Sequence, residues 1–532
     1  MKSKFLLNYL PLLFVLFILS CQESQKAEVK RPNILIAISD DQSFAHTSIN
    51  GSELIQTPAF DRVAREGILF TNCIAASPGC APSRAALLTG RYPWQNEQAG
   101  QHASEYPKKY VPFPDLLEKA GYKIGYTGKG CAPFNWKIGG RTSNPAGPVY
   151  NDIKYAENDP NGPPANGIHK ENYFANFKKF LKEREKDQPF YFWYGAFEPH
   201  RSFEKGSGKR LGKDIQLAKV PGFLPDTSVI KSDIADYAIE IEWFDKHLGE
   251  MLDYLKEIGE LDNTIVIVTS DNGMSFPRAK ANGYEYGIHV PLAISSPKLI
   301  PGERVLDDLI SFTDFAPTIL DICGVTQEGM LPITGKSIKG LLTNTDPTVL
   351  KGRDFVFSSR ERHSSSRWHN LGYPVRSMRT KQFLLTKNFK PERWPAGAPQ
   401  MLDKEGNLYP MYGKINPATG MYDYAFTDID ACPSKDFLIE HHDDKKWGKY
   451  FDLAVAKRPE IELFDIKRDP MCLDNLATNP DYQVIKDELI AKMDSFLTKT
   501  GDPRLVGKDP DIFETYKRYS PIRDFPKPDW AK

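Results

Sequence analysis

Four stretches of the chain are apolar almost throughout, and each is followed directly by polar residues. They are Asn33–Ser39, Tyr122–Thr127, Tyr191–Phe197 and Thr264–Ser270. Short continuous apolar runs are typical of strands that are covered on both faces, as in a parallel sheet. Between them, residues 234–258 carry apolar side chains at alternating three- and four-residue steps, which predicts an amphipathic helix. The alternation of strands and helices predicts an α/β fold with a large, mostly parallel sheet between helices.

The polar clusters that follow these runs are the first candidates for a functional site. They are Asp40-Asp41, Gly128-Lys129, Glu198-Pro199-His200 and Asp271-Asn272-Gly273. Doubly wound sheets bind their ligands at the carboxyl ends of the strands. We therefore expect the four clusters to meet at one edge of the sheet.

The pattern changes between residues 325 and 350, where Gly, Pro, Thr and Asn accumulate. We place a domain boundary near residue 345, which separates a catalytic domain, residues 31–345, from a smaller C-terminal α+β domain, residues 346–532. Short apolar runs in the second part are typical of strands, and residues 482–497 predict an amphipathic helix. We expect this domain to form the rim of the substrate site.

The N-terminal segment 1–21 has the features of an export signal, because Lys2 and Lys4 precede an apolar run that ends at Leu19. Residues 18–21, Ile-Leu-Ser-Cys, resemble the cleavage box of bacterial lipoproteins, whose Cys is lipidated. This interpretation predicts an exported protein of the periplasm or cell surface that is anchored through Cys21, with residues 22–30 as a flexible tether. A plain signal peptide is the alternative. We expect membrane contact only through the lipid anchor, since no other apolar run has membrane length.

Composition narrows the classes of function. The 532 residues include 40% hydrophobic residues and 69 basic against 69 acidic residues. This composition excludes a disordered chain, and the balanced charge gives no overall field that would attract nucleic acid. None of the seven Cys belongs to a CxxC pair, which argues against a structural zinc site. The sequence leaves disulfide pairing open.

Oxygen donors dominate two of the polar clusters. Asp40, Asp41 and Asp271 supply three carboxylates, and Asn272 supplies an amide carbonyl. Such hard donors are the ligands that Ca²⁺ and Mg²⁺ prefer. Three carboxylates directed at one point would repel one another without a cation. Each pair alone could be a solvated turn, but together they predict a site for one divalent cation.

The most informative motif is Cys80-Ala81-Pro82-Ser83-Arg84, followed by Leu88-Thr89-Gly90-Arg91. It predicts a short helix that ends at Gly90, with Cys80 at its N-terminus, where backbone N–H groups favour an anion. These residues resemble the signature of the type I sulfatases. The four polar clusters also appear in the order found in that family. The resemblance implies an alkaline-phosphatase-like fold.

The resemblance also implies the chemistry at Cys80. In this family a formylglycine-generating enzyme oxidises the Cys to an aldehyde, which hydrates to a geminal diol beside a metal ion. One diol hydroxyl attacks sulfur and displaces the alcohol or amine, and the other then expels sulfate. Cys80 would therefore be the precursor of the nucleophile and a metal ligand, with one Ca²⁺ as the expected ion and Mg²⁺ as the alternative.

Basic side chains complete the expected site. Arg84 and Lys129 can hold the diol and balance negative charge beside it. Lys280 and His200 can bind sulfate oxygens, and His200 is also a candidate proton donor to the leaving group. We assign these four residues, with Cys80, to catalysis.

The chain departs from the family at one position. The family usually places a His two residues beyond the Lys of its Gly-Lys motif, and this chain has Cys131 there. His102 is one candidate for the missing role. Slower turnover is the alternative.

The segment 351–380 suggests the substrate class. It contains seven Lys or Arg and two acidic residues, which favours contact with a polyanion, although a solvated basic face is an equal alternative. Arg360-Glu361-Arg362-His363, followed by Tyr373–Ser377, resembles the sulfamidase (heparan N-sulfatase) branch of the sulfatases, in which this region helps to form the substrate pocket. We assign Arg362, His363 and His102 to substrate binding.

We therefore expect a sulfatase that acts on sulfate esters of a polysaccharide or its oligosaccharides, of the algal ulvan type or a glycosaminoglycan. Hydrolysis of N-sulfoglucosamine is the main alternative. A phosphodiesterase or phosphonate hydrolase of the same superfamily would need a second metal, for which the sequence offers no good ligand set. An inactive glycan-binding lipoprotein is supported only by Cys131.

Overall fold

The computed structural model describes residues 30–531. The predicted signal segment, the anchoring Cys21 and nearly all of the tether lie outside the described residues. Within residues 30–531, every helix is too short or too polar to cross a bilayer. The six cysteines of this part are all buried, and none is paired in a disulfide.

An eight-stranded sheet forms the centre of the larger part of the chain. Its strands are β1 (Asn33–Ser39), β2 (Ile68–Ile74), β3 (Lys123–Gly128), β4 (Phe190–Gly195), β5 (Thr264–Ser270), β6 (His289–Ser295), β7 (Arg304–Leu306) and β8 (Ile310–Ser311). They lie in the order β3-β4-β1-β5-β6-β2-β7, with β8 also beside β2. Strands β3, β4, β1 and β5 run parallel, and β6 is antiparallel to both of its neighbours. The prediction of a mostly parallel sheet is confirmed.

Helices cover both faces of this sheet. The α-helices of residues 30–531 are α1 (Pro58–Glu66), α2 (Cys80–Thr89), α3 (Phe113–Lys119), α4 (Tyr173–Lys182), α5 (Ser207–Arg210), α6 (Ser228–Glu257), α7 (Glu285–Ile288), α8 (Phe315–Cys323), α9 (Lys339–Leu342), α10 (Pro433–Glu440), α11 (Gly448–Val455), α12 (Gln483–Lys499), α13 (Pro503–Val506) and α14 (Ile512–Thr515). Alternate side chains of β1 enter different cores, because successive residues of a strand point to opposite faces. Ile36 packs in the core that includes α2, α3 and α8, and Leu35 in the core that includes α1, α4 and α6.

The helix predicted from the apolar stripe over 234–258 begins earlier, at Ser228, and ends at Glu257. Thr227 caps its N-terminus, with its hydroxyl accepting the amide of Ile230. A capping hydroxyl satisfies one of the unpaired N–H groups of a first turn. The cap therefore extends the helix beyond the apolar pattern.

The C-terminal part has the predicted α+β character. Its strands are β9 (Phe355–Arg360), β10 (Val375–Thr380), β11 (Phe383–Asn388), β12 (Lys414–Asn416), β13 (Met421–Asp423) and β14 (Ile461–Asp465). Four of them form an antiparallel sheet in the order β14-β11-β10-β9, and β12 and β13 form a two-stranded hairpin. Helix α12 closely matches the helix predicted over 482–497. The domain boundary near residue 345 stays a prediction.

The basic residues of segment 351–380 do not form the expected exposed rim. Four of its arginines are buried and paired with carboxylates: Arg360 and Arg367 with Asp428, Arg376 with Glu361 and Asp502, and Arg379 with Glu285. The expectation of a polyanion rim is therefore wrong for these residues. The excess of basic residues counted within 351–380 was misleading, because most of the carboxylates that pair with these arginines lie elsewhere in the chain.

Candidate active site

The predicted polar clusters meet at one edge of the sheet. Strands β3, β4, β1 and β5 are neighbours that run in the same direction, so the residues that follow them emerge together. Asp40 and Asp271, from the ends of β1 and β5, lie beside Cys80 of α2. One potential ligand atom of each of these three residues lies within 4.8 Å of the others. All three side chains are buried.

Helix α2 brings Cys80 to this point. Cys80 is its first residue, and the helix ends at Gly90, whose φ of 67° lies in the left-handed region that favours glycine. The residue before the helix is Gly79, where a Cβ atom would lie 3.0 Å from Nδ1 of His363. Glycine therefore lets the start of the helix approach the C-terminal part of the chain. Burial raises the pKa of the Cys80 thiol to about 11, so an unmodified thiol would be neutral at pH 7.

Arg84 connects three parts of the site. Its Nε donates to Oδ2 of Asp271 at 2.7 Å. Its Nη1 donates to the carbonyl oxygens of Lys129 at 2.7 Å and Gly130 at 3.0 Å. Burial disfavours a charged guanidinium, but Asp271 and Asp40 outweigh it and raise the pKa of Arg84. Arg84 thereby fixes the Gly-Lys loop against α2 and β5.

Two lysines neutralise the acidic residues of the site. Nζ of Lys129 donates to Asp40. Nζ of Lys280 donates to Asp41 at 2.6 Å and to Asp430 at 3.3 Å. Burial opposes a positive charge on each lysine, but the adjacent carboxylates raise both pKa values. Both lysines are therefore charged at neutral pH.

The oxygen donors fit a divalent cation. Oδ1 of Asp40 and Oδ1 of Asn272 are buried without a hydrogen-bond partner among the described residues. Nδ2 of Asn272 donates to Asp41 at 2.7 Å, which leaves only its carbonyl oxygen free. Unpartnered buried oxygens are costly, and a cation between them would remove that cost. The donor set, carboxylates and an amide, is the kind that Ca²⁺ or Mg²⁺ prefers.

The carboxylates of Asp40 and Asp271 repel each other, and this repulsion affects the pKa of Asp271. Burial and then the charge of Asp40 raise the pKa of Asp271 to about 7. Burial acts on Asp40 in the same direction, but Lys129 and His200 hold the pKa of Asp40 well below its usual range. Asp40 and Asp271 share the positive charges of Arg84 and Lys129, and a cation at this point would relieve the repulsion between the two carboxylates.

His200 follows β4 and points a ring nitrogen towards Asp41. Its Nδ1 lies 2.6 Å from the carbonyl oxygen of Arg201, and its Nε2 lies 4.0 Å from Oδ2 of Asp41. The imidazole is 37% exposed. A donated Nδ1–H would leave Nε2 directed at the site.

Sequence reasoning missed Asp430, whose carboxylate groups with Asp41 and His200 in the structure. It lies in the C-terminal part, in a segment without regular structure before α10. No strand end or motif precedes it in the sequence. The only local signal is a second aspartate two residues earlier, Asp428, and that signal is weak.

The three residues predicted to bind substrate are neighbours in the structure, and one of them, His363, lies beside Gly79. The imidazole centroids of His102 and His363 are 5.0 Å apart. The backbone N–H of His102 donates to the carbonyl oxygen of Arg362 at 3.2 Å. Burial lowers the pKa of His363 to about 3 and, with the neighbouring His363, puts the pKa of His102 well below its usual value. Both rings are neutral at pH 7 and can each donate and accept one hydrogen bond.

Cys131 is buried two residues beyond Lys129. Its backbone N–H donates to Oδ1 of Asn144 at 3.0 Å, and burial raises the pKa of its thiol to about 12. It lines a cavity of about 320 Å³ together with Phe134, Trp136 and Tyr519. That His102 takes over the role of the family His stays a prediction.

Comparison with known proteins finds similarity to sulfatases along most of the chain. A family model described as Sulfatase matches residues 32–325, and one described as N-sulphoglucosamine sulphohydrolase, C-terminal, matches residues 279–394. An ulvan-active sulfatase of Formosa agariphila is 28% identical over 509 residues, which cover 89% of this chain and 76% of that protein. Human N-sulphoglucosamine sulphohydrolase is 28% identical over 510 residues, which cover 90% of this chain and 92% of that protein.

A solved structure of similar fold holds its substrate, D-glucosamine-2-N,6-O-disulfate. The two folds agree with a TM-score of 0.58 at 22% sequence identity, over 91% of this chain and 99% of that one. At this identity the likeness concerns the fold.

Proposed function

The chain belongs to the sulfatase family, and we propose that it hydrolyses sulfate esters of a sulfated polysaccharide or its oligosaccharides, with Cys80 converted to formylglycine. The observation that carries this proposal is the position of Cys80. It begins a buried helix within 4.8 Å of the carboxylates of Asp40 and Asp271. Arg84 and Lys129 surround the same point with fixed positive charge.

One divalent cation would be held by Asp40, Asp41, Asp271, Asn272 and residue 80, and we propose Ca²⁺, with Mg²⁺ as the alternative. When present, the ion polarises a sulfate oxygen, and the formylglycine supplies a hydrated aldehyde as nucleophile. The aldehyde would be made by a formylglycine-generating enzyme of the host.

The chain's own residues would bind and orient the sulfate. Lys280, fixed by Asp41 and Asp430, presents a charged donor whose position is set before substrate arrives. Such preorganised donors stabilise charge without reorganising during the reaction. His200, when both of its ring nitrogens are protonated, would donate the Nε2 proton to the leaving oxygen, with its Nδ1–H held by the carbonyl of Arg201.

The sugar would lie on the side of His102, His363 and Arg362. The two neutral imidazoles offer hydrogen bonds of both kinds to hydroxyl groups. The position of His363 beside Gly79 supports contact with the sugar that carries the reacting sulfate. The C-terminal residues 346–532 would in this way contribute the substrate side of the site.

N-sulfoglucosamine is the second candidate substrate, with an amine rather than an alcohol as the leaving group. A specific observation favours it: the N-sulphoglucosamine sulphohydrolase model matches residues 279–394, the stretch that contains Lys280, Arg362 and His363. The human relative named for this substrate is similar along nearly its whole length.

A two-metal phosphodiesterase is the weaker alternative. Asp41, His200 and Asp430 do group together, but the ammonium of Lys280 bonds to both carboxylates of that group. A second divalent ion there would meet the positive charge of Lys280 at close range. We also propose export and lipid anchoring at Cys21, on the sequence pattern alone.

Sulfate release from defined saccharides tests the proposal. The protein is produced with a formylglycine-generating enzyme, and ion chromatography measures sulfate from O-sulfated ulvan and glycosaminoglycan oligosaccharides, from N-sulfated glucosamine, and phosphate from a phosphate ester. We expect sulfate from an O-sulfated sugar and none with Cys80→Ala. Sulfate release from the N-sulfated sugar alone would show that N-sulfoglucosamine, and not a sulfate ester, is the substrate. No release from any substrate by fully converted protein would contradict both and favour a glycan-binding role.

A further inference from the structure

Arg362 differs from the buried arginines around it because no carboxylate of residues 30–531 pairs with it. Arg360 and Arg367 both pair with Asp428, for example. Arg362 is 3% exposed, and only its Nη1 has an acceptor, the carbonyl oxygen of Tyr516 at 2.8 Å. Its Nε and Nη2 have no partner among residues 30–531. A buried guanidinium without a counter-charge is costly, and an anion close to it would offset that cost.

Two more arginines reach this place from the segment that follows α14. Nη1 of Arg518 donates to the carbonyl oxygen of His363 at 3.4 Å. Nη1 of Arg523 donates to the carbonyl oxygen of Ser365 at 3.2 Å. Both side chains are partly exposed, and within the described part of the chain neither forms a salt bridge. Nε of Arg518 also donates to the carbonyl oxygen of Pro521 at 3.3 Å, and each arginine keeps other N–H groups for a ligand.

The acidic residues of this neighbourhood are already engaged. Glu514 pairs with Arg393 at 2.7 Å and with Arg504 at 3.3 Å. Asp428 pairs with Arg360 and Arg367. Burial and then Arg518 lower the pKa of Arg362 to about 10, with Glu514 opposing them only in part. The positive charge of the three arginines therefore remains in excess.

This cluster lies next to the reaction centre. Arg362 and His363 are consecutive, and the ring of His363 lies against Gly79, the residue before Cys80. His102 contacts both residues, because its ring centroid lies 5.0 Å from that of His363 and its backbone N–H donates to the carbonyl oxygen of Arg362. A saccharide with one sulfate at Cys80 would therefore extend towards the arginines.

We propose that Arg362, Arg518 and Arg523 form a subsite for a second anionic group of the substrate, a sulfate or carboxylate on the reacting sugar or the next one. This inference rests on the proposed function and narrows its substrate class to saccharides with at least two anionic groups. The partly exposed Arg518 and Arg523 make the outer contacts, and Arg362 supplies charge behind them. Guanidinium groups suit this task because their N–H fork matches the oxygens of sulfate and carboxylate.

Kinetics on matched substrates test the subsite. Sulfate release is measured from a sugar with a single sulfate and from the same sugar with a second sulfate or a linked uronate. We expect Arg518→Gln and Arg523→Gln each to lower kcat/KM on the doubly anionic substrate about 10- to 100-fold, mainly through KM, as for loss of one charge-assisted hydrogen bond. The singly anionic substrate should change by less than about threefold. Lys517→Gln, an exposed cation beside Arg518, is the matched control and should leave both substrates unchanged.

Binding to Cys80→Ala separates this inference from the proposed function. Calorimetric titration of this variant should show tighter binding of the doubly anionic sugar, and Arg518→Gln should remove that preference. If the preference is present but wild type releases no sulfate, the proposed function fails and the subsite stands. Two results would overturn the subsite: an equal loss of kcat/KM on both substrates in the arginine variants, or no preference of the wild type for the doubly anionic sugar. Sulfate release by the wild type would still support the proposed function.

Discussion

Replacing Arg84 by lysine is expected to disable the site while keeping its charge. Arg84 is fully buried and makes three hydrogen bonds at once, to Asp271, Lys129 and Gly130. A lysine has a single ammonium group on a flexible stem and cannot reproduce the planar fork. We expect Arg84→Lys to keep one of the three bonds, so that Asp271 and the Gly-Lys loop lose their common support.

The size of the effect follows from the number of bonds. A hydrogen bond from a charged donor contributes about 1.5–3 kcal/mol, so two lost bonds cost about 3–6 kcal/mol. If that support acts mainly in the transition state, kcat/KM falls by about 10²- to 10⁴-fold, at about 1.4 kcal/mol for each factor of ten. The assay is sulfate release at several substrate concentrations.

Two controls make the result interpretable. Arg84 belongs to the motif around Cys80, so mass spectrometry must measure the conversion of Cys80 and kcat/KM is calculated per converted molecule. Arg91→Lys is the matched substitution at a less buried arginine that donates to carbonyl groups of Gln95 and Pro332, and it should retain nearly full activity. An Arg84→Lys enzyme that keeps more than about a third of kcat/KM per converted molecule would refute the reasoning.

Three further predictions follow from charges elsewhere in and around the site. Asp430→Asn removes one of two carboxylates from Lys280, so we expect KM to rise about 3- to 10-fold with little change in thermal stability, and unchanged kinetics would contradict a role in positioning Lys280. Asp428→Asn leaves Arg360 and Arg367 buried without their partner, so denaturant unfolding should show a loss of about 3–5 kcal/mol, and a loss below about 1 kcal/mol would contradict it. Although burial opposes them, Arg360 and Arg367 hold the pKa of Asp428 well below its usual range. The stability that Asp428 contributes is therefore complete above the pKa of an unfolded carboxyl group and is lost as pH falls through the lower pKa of the folded state. The free energy of unfolding of Asp428→Asn should depend less on pH over that range. Removal of divalent ions by a chelator should abolish sulfate release and lower the melting temperature, with Ca²⁺ restoring both; full activity after exhaustive chelation would contradict the metal site at Asp40 and Asn272.

The fold was predictable where local pattern determines burial. Residues 33–39 and 264–270 form strands at the predicted bounds, because a continuous apolar run is stable only when both of its faces are covered. The convergence of Asp40 and Asp271 followed from the same pattern, since parallel strands end at one edge, whereas the place of Cys80 beside them was expected from the resemblance to the sulfatases. Here sequence order and spatial arrangement are linked by a simple geometric rule.

The charges contributed by the C-terminal part were not predictable in this way. Arg360 and Arg376 stand in a basic segment, yet their partners Asp428 and Asp502 lie far along the chain. Asp430 reaches Lys280 from a loop without any local signature. Hydrophobic periodicity encodes which side chains are buried, but it does not encode which buried charges meet. That pairing depends on how the chain packs as a whole.

The central claim is that residue 80 acts as formylglycine beside a cation. Mass spectrometry of the peptide that contains Cys80, taken from enzyme of known specific activity, tests it most directly. We expect sulfate release to rise in proportion to the fraction of residue 80 found as formylglycine and to vanish in Cys80→Ala. Active enzyme in which this residue remains an unmodified cysteine would contradict the claim.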